Sequence, residues 1–378
     1  MKKVFLEYVW LDGNQPQQLR SKTKVVKSLS EIKTYDEPYK IVWSFPKWSF
    51  DGSSTKQAKA GKGENTDCIL NPIFHCNDPF RGDNHYIVFC EVLSPDGTLH
   101  PTNKRGKLRK FMENNKMKET INDFENSNWF GWEQEYTLTT KPDFKDGEGL
   151  PLGHRPNSEP RPQGDYYCGV GADNITGRRI VEEHLEKCVK AGLDISGVNA
   201  EVMLGQWEYQ IGPVTTLEGS DQLWISRYIL QRVAEENGVK ISFHPKPKPG
   251  DWNGSGCHVN FSTPKMRNSG GIDLIREAVE KLSLTHKEHM DVYGWYNEKR
   301  MTGEHETSSI EDFSYGYSTR DTSIRIPAQS SIDGKGYFED RRPASNCDPY
   351  SVSLRMLKTV YNEVEKPMEV NELINEKG

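Results

Sequence analysis

The 378-residue chain has no apolar run approaching the roughly 18 residues that a membrane-crossing helix needs, so a soluble protein is expected. Lys2 and Lys3 ahead of Val4, Phe5 and Leu6 imitate the start of a signal peptide, but Glu7 ends that run, and a cytoplasmic protein is expected. The seven cysteines are odd in number, widely spread and without a Cys-x-x-Cys pair, the pattern of reduced thiols. Neither sign of charge forms a long block, and the net charge is only -6, which argues against nucleic acid or an anionic membrane surface as partner. Gly-x-x-x-x-Gly-Lys-Ser/Thr is missing, as is Gly-x-Gly-x-x-Gly after a strand, so any nucleotide has to be held by metals and arginines rather than by a glycine-rich cradle. Apolar residues are scarce at 34%, yet 9 Trp, 16 Tyr and 14 Phe bury much area each, which excludes a disordered chain.

The length suggests two domains or three. "VFLEYVWL", the turn residues Asp12, Gly13 and Asn14, and "LRSKTKVV" predict a hairpin. Pro and Gly punctuate the stretch that follows, and residues 54–67 read as a long mobile loop. "HYIVFCEVL" is a buried strand candidate, and a boundary is expected near residue 104. Beyond it, helical spacing predicts helices over 177–191, 221–237 and 273–293, stopped by Gly192, Gly238 and Gly294. His184, His286 and His289 lie on those helix faces and read as structural.

The informative segment is "NWFGWEQEYTL", whose period of two sends Glu133 and Glu135 to one face of a strand. Two carboxylates about 7 Å apart among apolar groups repel and resist desolvation unless a cation sits between them. Taken alone, the pair fits a solvated strand face. The pattern recurs, however: Glu201 and Glu208 lie in "NAEVMLGQWEYQIGP", His258, Asn260 and Ser262 share a face of "SGCHVNFS", and Glu339 and Arg341 share a face of "GYFEDRRP". Five glutamates and one histidine on apolar strands make a hard, oxygen-rich ligand set, suited to Mg²⁺ or Mn²⁺ rather than Zn²⁺. So much negative charge fits two or three ions bridged by a polyphosphate. Arg300, Arg320, Arg325 and Arg341 follow within a short stretch and would supply forks for carboxylate or phosphate, although scattered surface arginines would look the same one by one. Asp51, in "FDGSST", reads by itself as a turn residue.

"LEYVWLDG", "LRSKT", "FDGSST", "PTNKR", "WEQEY", "PQGDYYCGVGA", "NAEVM", "QWEYQIGP", "GEHETS", "SIRIP" and "GYFEDRRPASNCDP" occur in the order seen in glutamine synthetases of the type II, eukaryotic-like class, and the chain resembles that family along essentially its whole length. The resemblance implies an α+β fold with a small N-terminal β-grasp domain, residues 1–103, and a catalytic domain, residues 104–378, whose curved antiparallel sheet holds a funnel-shaped, two-ended site. It implies ATP-dependent ligation of ammonia to the γ-carboxylate of L-glutamate, through a γ-glutamyl phosphate. It also implies a homo-oligomer, a decamer of two stacked pentameric rings with each site completed by a neighbour's N-terminal domain.

By resemblance, Glu135, Glu201 and Glu208 hold the metal that engages glutamate, and Glu133, His258 and Glu339 the metal on the nucleotide phosphates. Arg300 and Arg341 would clamp glutamate, with Trp252, Asn253 and Gly254 lining its pocket, while Arg320 and Arg325 would meet the ATP phosphates. Trp129, Pro213, Asn260, Ser262, Arg267 and Tyr337 would surround the nucleotide. Asp51, Ser54, Tyr167 and Glu306 would form the ammonium site, Glu306 on a closing flap. The chain departs from the family at Tyr296, commonly Gly, at Asp321, commonly Gly, at Ala328, often Arg, and at Leu204-Gly205, which replaces a Pro-small pair. A ligase for a larger amine and an inactive ring-forming relative are the alternatives. Intact Asp51, Tyr167 and Glu306 argue against the first, and six filled ligand positions against the second.

Overall fold

The computed structural model describes residues 3–361 except 37–39, 60, 62–64, 120, 142–148, 156–159 and 163. The strands before residue 94 are β1 (Val4–Leu11), β2 (Leu19–Val26), β3 (Lys33–Asp36), β4 (Lys40–Trp43), β5 (Trp48–Asp51), β6 (Asp67–Asn77) and β7 (Tyr86–Leu93). Five of them form a sheet in the order β2-β1-β7-β6-β5, with β1 and β7 parallel at its centre. The predicted hairpin is β1–β2, but Leu11 pairs with Leu19, so its connection is a loop over residues 12–18 rather than a tight turn. Asp12 organises that loop by accepting from the backbone N–H groups of Asn14 and Gln18. β7 is buried at every position because both of its faces are covered. Val88, Cys90 and Val92 join the small N-terminal core, whereas Ile87 and Phe89 join the large one. The loop expected over 54–67 opens in a 3₁₀ turn, Gly52–Thr55, and residues 60 and 62–64 of it lie outside the described ones.

The second sheet is built from β8 (Trp129–Thr140), β9 (Ile195–Ala200), β10 (Gln206–Val214), β11 (Val239–Ser242), β12 (Cys257–Ser262), β13 (Tyr315–Tyr317), β14 (Ile324–Ile326) and β15 (Phe338–Asp340). Its order is β13-β14-β15-β12-β8-β10-β9, with β11 also paired to β8, and it curves as the α+β expectation required. It is antiparallel except at one edge, where β13 and β14 run parallel, a departure from the all-antiparallel expectation. One face of β8 and β10 (Trp132, Tyr136, Trp207, Tyr209) packs into the core, which leaves the intervening acids on the other face.

The helices are α1 (Lys104–Asn114), α2 (Arg178–Ala191), α3 (Thr216–Asn237), α4 (Gly271–Leu284), α5 (His286–Met290), α6 (Ala328–Asp333) and α7 (Pro349–Tyr361). Helix α2 matches its sequence pattern and ends on Gly192. Helix α3 starts earlier than expected, because Glu119 accepts from the Thr216 backbone N–H and hydroxyl at 2.8 and 2.9 Å, a terminus set by a residue far away in sequence. The helix expected over 273–293 is two: the Thr285 hydroxyl donates to the Lys281 carbonyl at 2.9 Å, and its backbone leaves helical geometry. His184 and His289 are fully buried, and the half-buried His286 bonds the Ile310 carbonyl, in keeping with structural roles.

Candidate active site

Register makes the acidic face. Glu208 on β10 stands directly opposite Glu135 on β8, Glu133 opposite His258 on β12, and Asn260 opposite Glu339 on β15, which in turn faces Arg325 on β14. Cross-strand partners lie about 5 Å apart, and like charges placed so are destabilising. Glu133, His258 and Glu339 offer ligand atoms within 4.8 Å of one another, and so do Glu135, Glu208 and His258. The His258 ring joins the groups: Nδ1 is 3.3 Å from Glu133 and from Glu339, and Nε2 is 3.7 Å from Glu135. Glu201 stands just beyond β9, with its carboxylate accepting from the Asn199 amide at 2.9 Å and from the Val202 N–H.

The electrostatics say what such a cluster wants. Burial, then Glu133, Glu201 and Glu135, push Glu208 up to about 10, and burial with Glu135 pushes Glu201 up to about 8. Without a cation the cluster holds protons. Burial, then Arg341, lowers His258 to about 4, so its imidazole is neutral and free to ligate. Several carboxylates and one neutral imidazole therefore fit divalent cations.

Arginines flank this ladder. Glu339 accepts from Arg341 Nη1 at 2.6 Å and from Arg325 Nη1 at 3.2 Å. Arg300 is buried, and burial lowers it to about 10. Its Nη2 donates to the carbonyls of Arg341, Arg342 and Pro343 at 3.1, 2.6 and 3.2 Å, its Nε to Asn297, and Nη1 lies beside Gly256 and His258. Arg300 and Arg341 line a recess with Glu135, Glu201, Asn253, Gly254, His258 and Glu306. The recess holds about 30 Å³, and the segment carrying His305 and Glu306 borders it. That segment is strained: His305 and Glu306 have φ of 53° and 62°, in the left-handed region that side chains other than glycine rarely adopt. Trp252 does not line the recess; its ring is buried against His154 at 4.8 Å. Gln206, His305 and Thr307 line it although sequence reading did not single them out.

On the far side of Glu133 a cleft of about 390 Å³ opens, lined by Trp129, Pro213, Asn260, Ser262, Arg267 and Tyr337, the whole set expected around a nucleotide except the phosphate arginines. The Arg267 guanidinium stacks on Trp129, 3.8 Å from its ring centre, and is fixed by the carbonyls of Ser262, Glu125 and Ser127. Gly131 opens the floor, because a Cβ there would press on Asn260 at 3.3 Å. Ser196 and Gln210 also line this cleft and were missed, being polar residues without a distinctive pattern.

The proposed ammonium residues divide. Glu306 and Tyr167 both meet Arg320, the carboxylate at 3.4 Å and the ring at 5.4 Å from its guanidinium. Asp51 and Ser54 line neither recess: Asp51 caps the turn after β5, accepting from the Ser53 N–H and hydroxyl and from Ser54, bonds that hold its carboxyl below the usual range. Among the departures, Tyr296 adopts φ 62°, the conformation for which glycine is suited, and stacks on His244 at 5.6 Å. Asp321 is exposed, Ala328 begins α6, and Gly205 has φ 88° where a Cβ would meet the Leu152 carbonyl at 2.7 Å.

A ladder of acids and one imidazole, flanked by arginines and set between a small polar recess and an aromatic cleft, is the layout of a metal-dependent enzyme. Residues 104–287 match the family model "Glutamine synthetase, catalytic domain". The chain is 48% identical to the chloroplastic glutamine synthetase of Chlamydomonas reinhardtii, over 94% of this chain and 90% of that protein. It is 46% identical to a cytosolic glutamine synthetase isozyme of Pinus sylvestris, over 95% and 94%, and 48% identical to the glutamine synthetase of Tuber borchii, over 94% and 92%. The chain belongs to the glutamine synthetase family.

Proposed function

We propose that this chain makes glutamine from glutamate and ammonia through a γ-glutamyl phosphate formed where the recess and the cleft meet. A carboxylate does not react with ammonia at neutral pH because oxide is its leaving group, and phosphorylation by ATP supplies a better one. The ladder would hold Mg²⁺ or Mn²⁺, two or three ions, with Glu135, Glu201 and Glu208 toward glutamate and Glu133, His258 and Glu339 toward the nucleotide. Bound cations neutralise charge on the phosphates and on the γ-carboxylate. Arg300 and Arg341 clamp glutamate beside Asn253 and Gly254, with Trp252 packed behind the loop, and Arg320 and Arg325 absorb phosphate charge. Trp129, Pro213, Asn260, Ser262, Arg267 and Tyr337 receive ATP. Asp51 takes a proton from ammonium held by Ser54, Tyr167 and Glu306, and closure of Glu306 keeps water from the acyl phosphate.

Cross-strand register is the observation that carries this reading, since it joins the recess to the cleft through His258. The test is ADP release from ATP and glutamate in Mg²⁺, with and without ammonium. Glutamine formation that needs all four is expected, and full turnover in chelator would overturn it.

We further propose a homo-oligomer, a decamer of two rings, in which a neighbour supplies Asp51 and Ser54. Their absence from both recesses of their own chain supports it. A division at 103/104 is supported by a small core built from residues before it alone and by α1 beginning at Lys104. A cytoplasmic location is supported by seven free cysteines and a cytosolic isozyme among the relatives; no helix among the described residues is long and apolar enough to cross a membrane.

A further inference from the structure

Asn199 lines neither the recess nor the aromatic cleft, yet its side chain reaches the acidic ladder from β9. Register sets it directly opposite Glu208, across β10 from Glu135, and places Gly197 opposite Gln210. The Asn199 amide donates from Nδ2 to Glu201 Oε1 at 2.9 Å and accepts at Oδ1 from Gln210 Nε2 at 2.7 Å. The same Gln210 Nε2 also donates to Glu208 Oε1. Two neutral amides thus run as one hydrogen-bonded chain from Glu201 to Glu208. Neither can be turned over, because a flipped Asn199 sets oxygen against the Glu201 carboxylate and a flipped Gln210 sets oxygen against Glu208. Gly197 leaves the space for this chain: a Cβ there would lie 2.7 Å from Gln210 Oε1.

The chain answers a mechanical problem. Glu208 sits within β10, but Glu201 follows the end of β9, so its carboxylate is held by the Asn199 amide and the Val202 N–H rather than by a place in the ladder. Two carboxylates meant for one cation repel each other until the cation arrives. An arginine or lysine between them would fix them at the cost of the negative charge that attracts the ion. Amide donors fix a carboxylate without cancelling its charge, which is how groups behind the ligands of a metal site orient them.

We propose that Asn199 and Gln210 are positioning residues that hold Glu201 and Glu208 as one unit for the cation on the glutamate side, and that Gly197 is the position that admits them. The proposal rests on the metal reading of the ladder. Its signature is that the chain fails as a whole when either amide is removed.

The test titrates Mn²⁺ alone into the metal-free protein and reads the free ion by electron paramagnetic resonance, in wild type, Asn199→Leu, Gln210→Met, the double variant and Gly197→Ala. Each single amide variant is expected to weaken one class of Mn²⁺ site roughly 10- to 100-fold, the range for groups behind metal ligands. The remaining sites should stay within about twofold, which also shows that the variant is folded. The double variant should bind no more than about threefold worse than the weaker single one, because a chain already broken loses little at a second break. Gly197→Ala keeps every bonding group and displaces only the flexible end of Gln210, so it should weaken the same site, and it keeps the test open if Asn199→Leu or Gln210→Met does not fold. Affinities within twofold of wild type in all the single variants, or losses that multiply in the double variant, would mean that the two amides act apart from the cation or from each other, and would overturn the proposal. A wild-type protein that binds no Mn²⁺ would instead overturn the metal reading itself.

Discussion

Arg341 donates to Glu339 at 2.6 Å, two residues along the same face of one strand end. Its other oxygen is engaged by Arg325. A cation held by Glu339 in the proposed site would compete with both guanidinium groups and free them for anionic substrates, so metal and substrate binding would be coupled through this one side chain.

Replacement of Glu339 by Gln is therefore expected to lower phosphoryl transfer by 100-fold or more, the scale on which losing a fixed electrostatic partner acts. It should also weaken Mg²⁺ dependence. A near-normal rate of ADP release would show that Glu339 is structural.

Stability of the metal-free protein carries a sign that can be worked out. Glu201 and Glu208 are raised from 4.5 to about 8 and about 10, so the folded state holds their protons more tightly than the unfolded one. The stability they contribute is present at low pH and is lost as pH rises from 4.5 through those values. His258, lowered to about 4, works the other way, but only below 6.5. Between pH 6.5 and 8 the unfolding free energy in chelator should fall by up to about 1.4 kcal/mol per pH unit for each carboxylate, and the melting temperature should fall with it. Glu208→Gln should flatten the slope, and added divalent cation should raise the melting temperature more at pH 8 than at pH 6.5.

Gly254 has no room for a side chain: a Cβ would lie 2.4 Å from Arg300 Cγ and 2.5 Å from the Pro245 carbonyl. Gly254→Ala should push Arg300 out of the recess and raise the KM for glutamate at least tenfold. The KM for ATP should move little, since Gly254 is not part of the aromatic cleft. Steady-state kinetics with each substrate varied in turn would check it.

Asp51 tests the shared site. Asp51→Ala and Arg341→Ala should each be inactive, yet regain activity when unfolded together and co-assembled, because some sites then draw an intact Asp51 from one chain and an intact Arg341 from another. Mixed oligomers, verified by mass, that stay inactive would place the whole site within one chain.

The alternation of "WEQEY" was enough to put Glu133 and Glu135 on one face, and the turn chemistry of Gly192 and Gly238 was enough to end two helices, because both depend on local periodicity and backbone preference. The resemblance also pointed to Glu133, Glu135, Glu208, His258 and Glu339, which the fold brings together, and to six of the residues that line the aromatic cleft, but not to Ser196 or Gln210. The chain could not announce that Thr285 breaks a helix, that Glu119 begins another, or that Tyr296 takes a left-handed conformation, since each depends on a contact or a backbone angle set by its surroundings. Nor could it mark Gln206, an ordinary amide until folding buries it with its nitrogen fixed and its oxygen unpaired. What the sequence determined by itself was which side chains share a face of each strand. Which strands stand side by side, with Glu133 opposite His258 at a separation of 125 residues, was decided only when the sheet closed, because cross-strand register is set by long-range packing and not by neighbours along the chain.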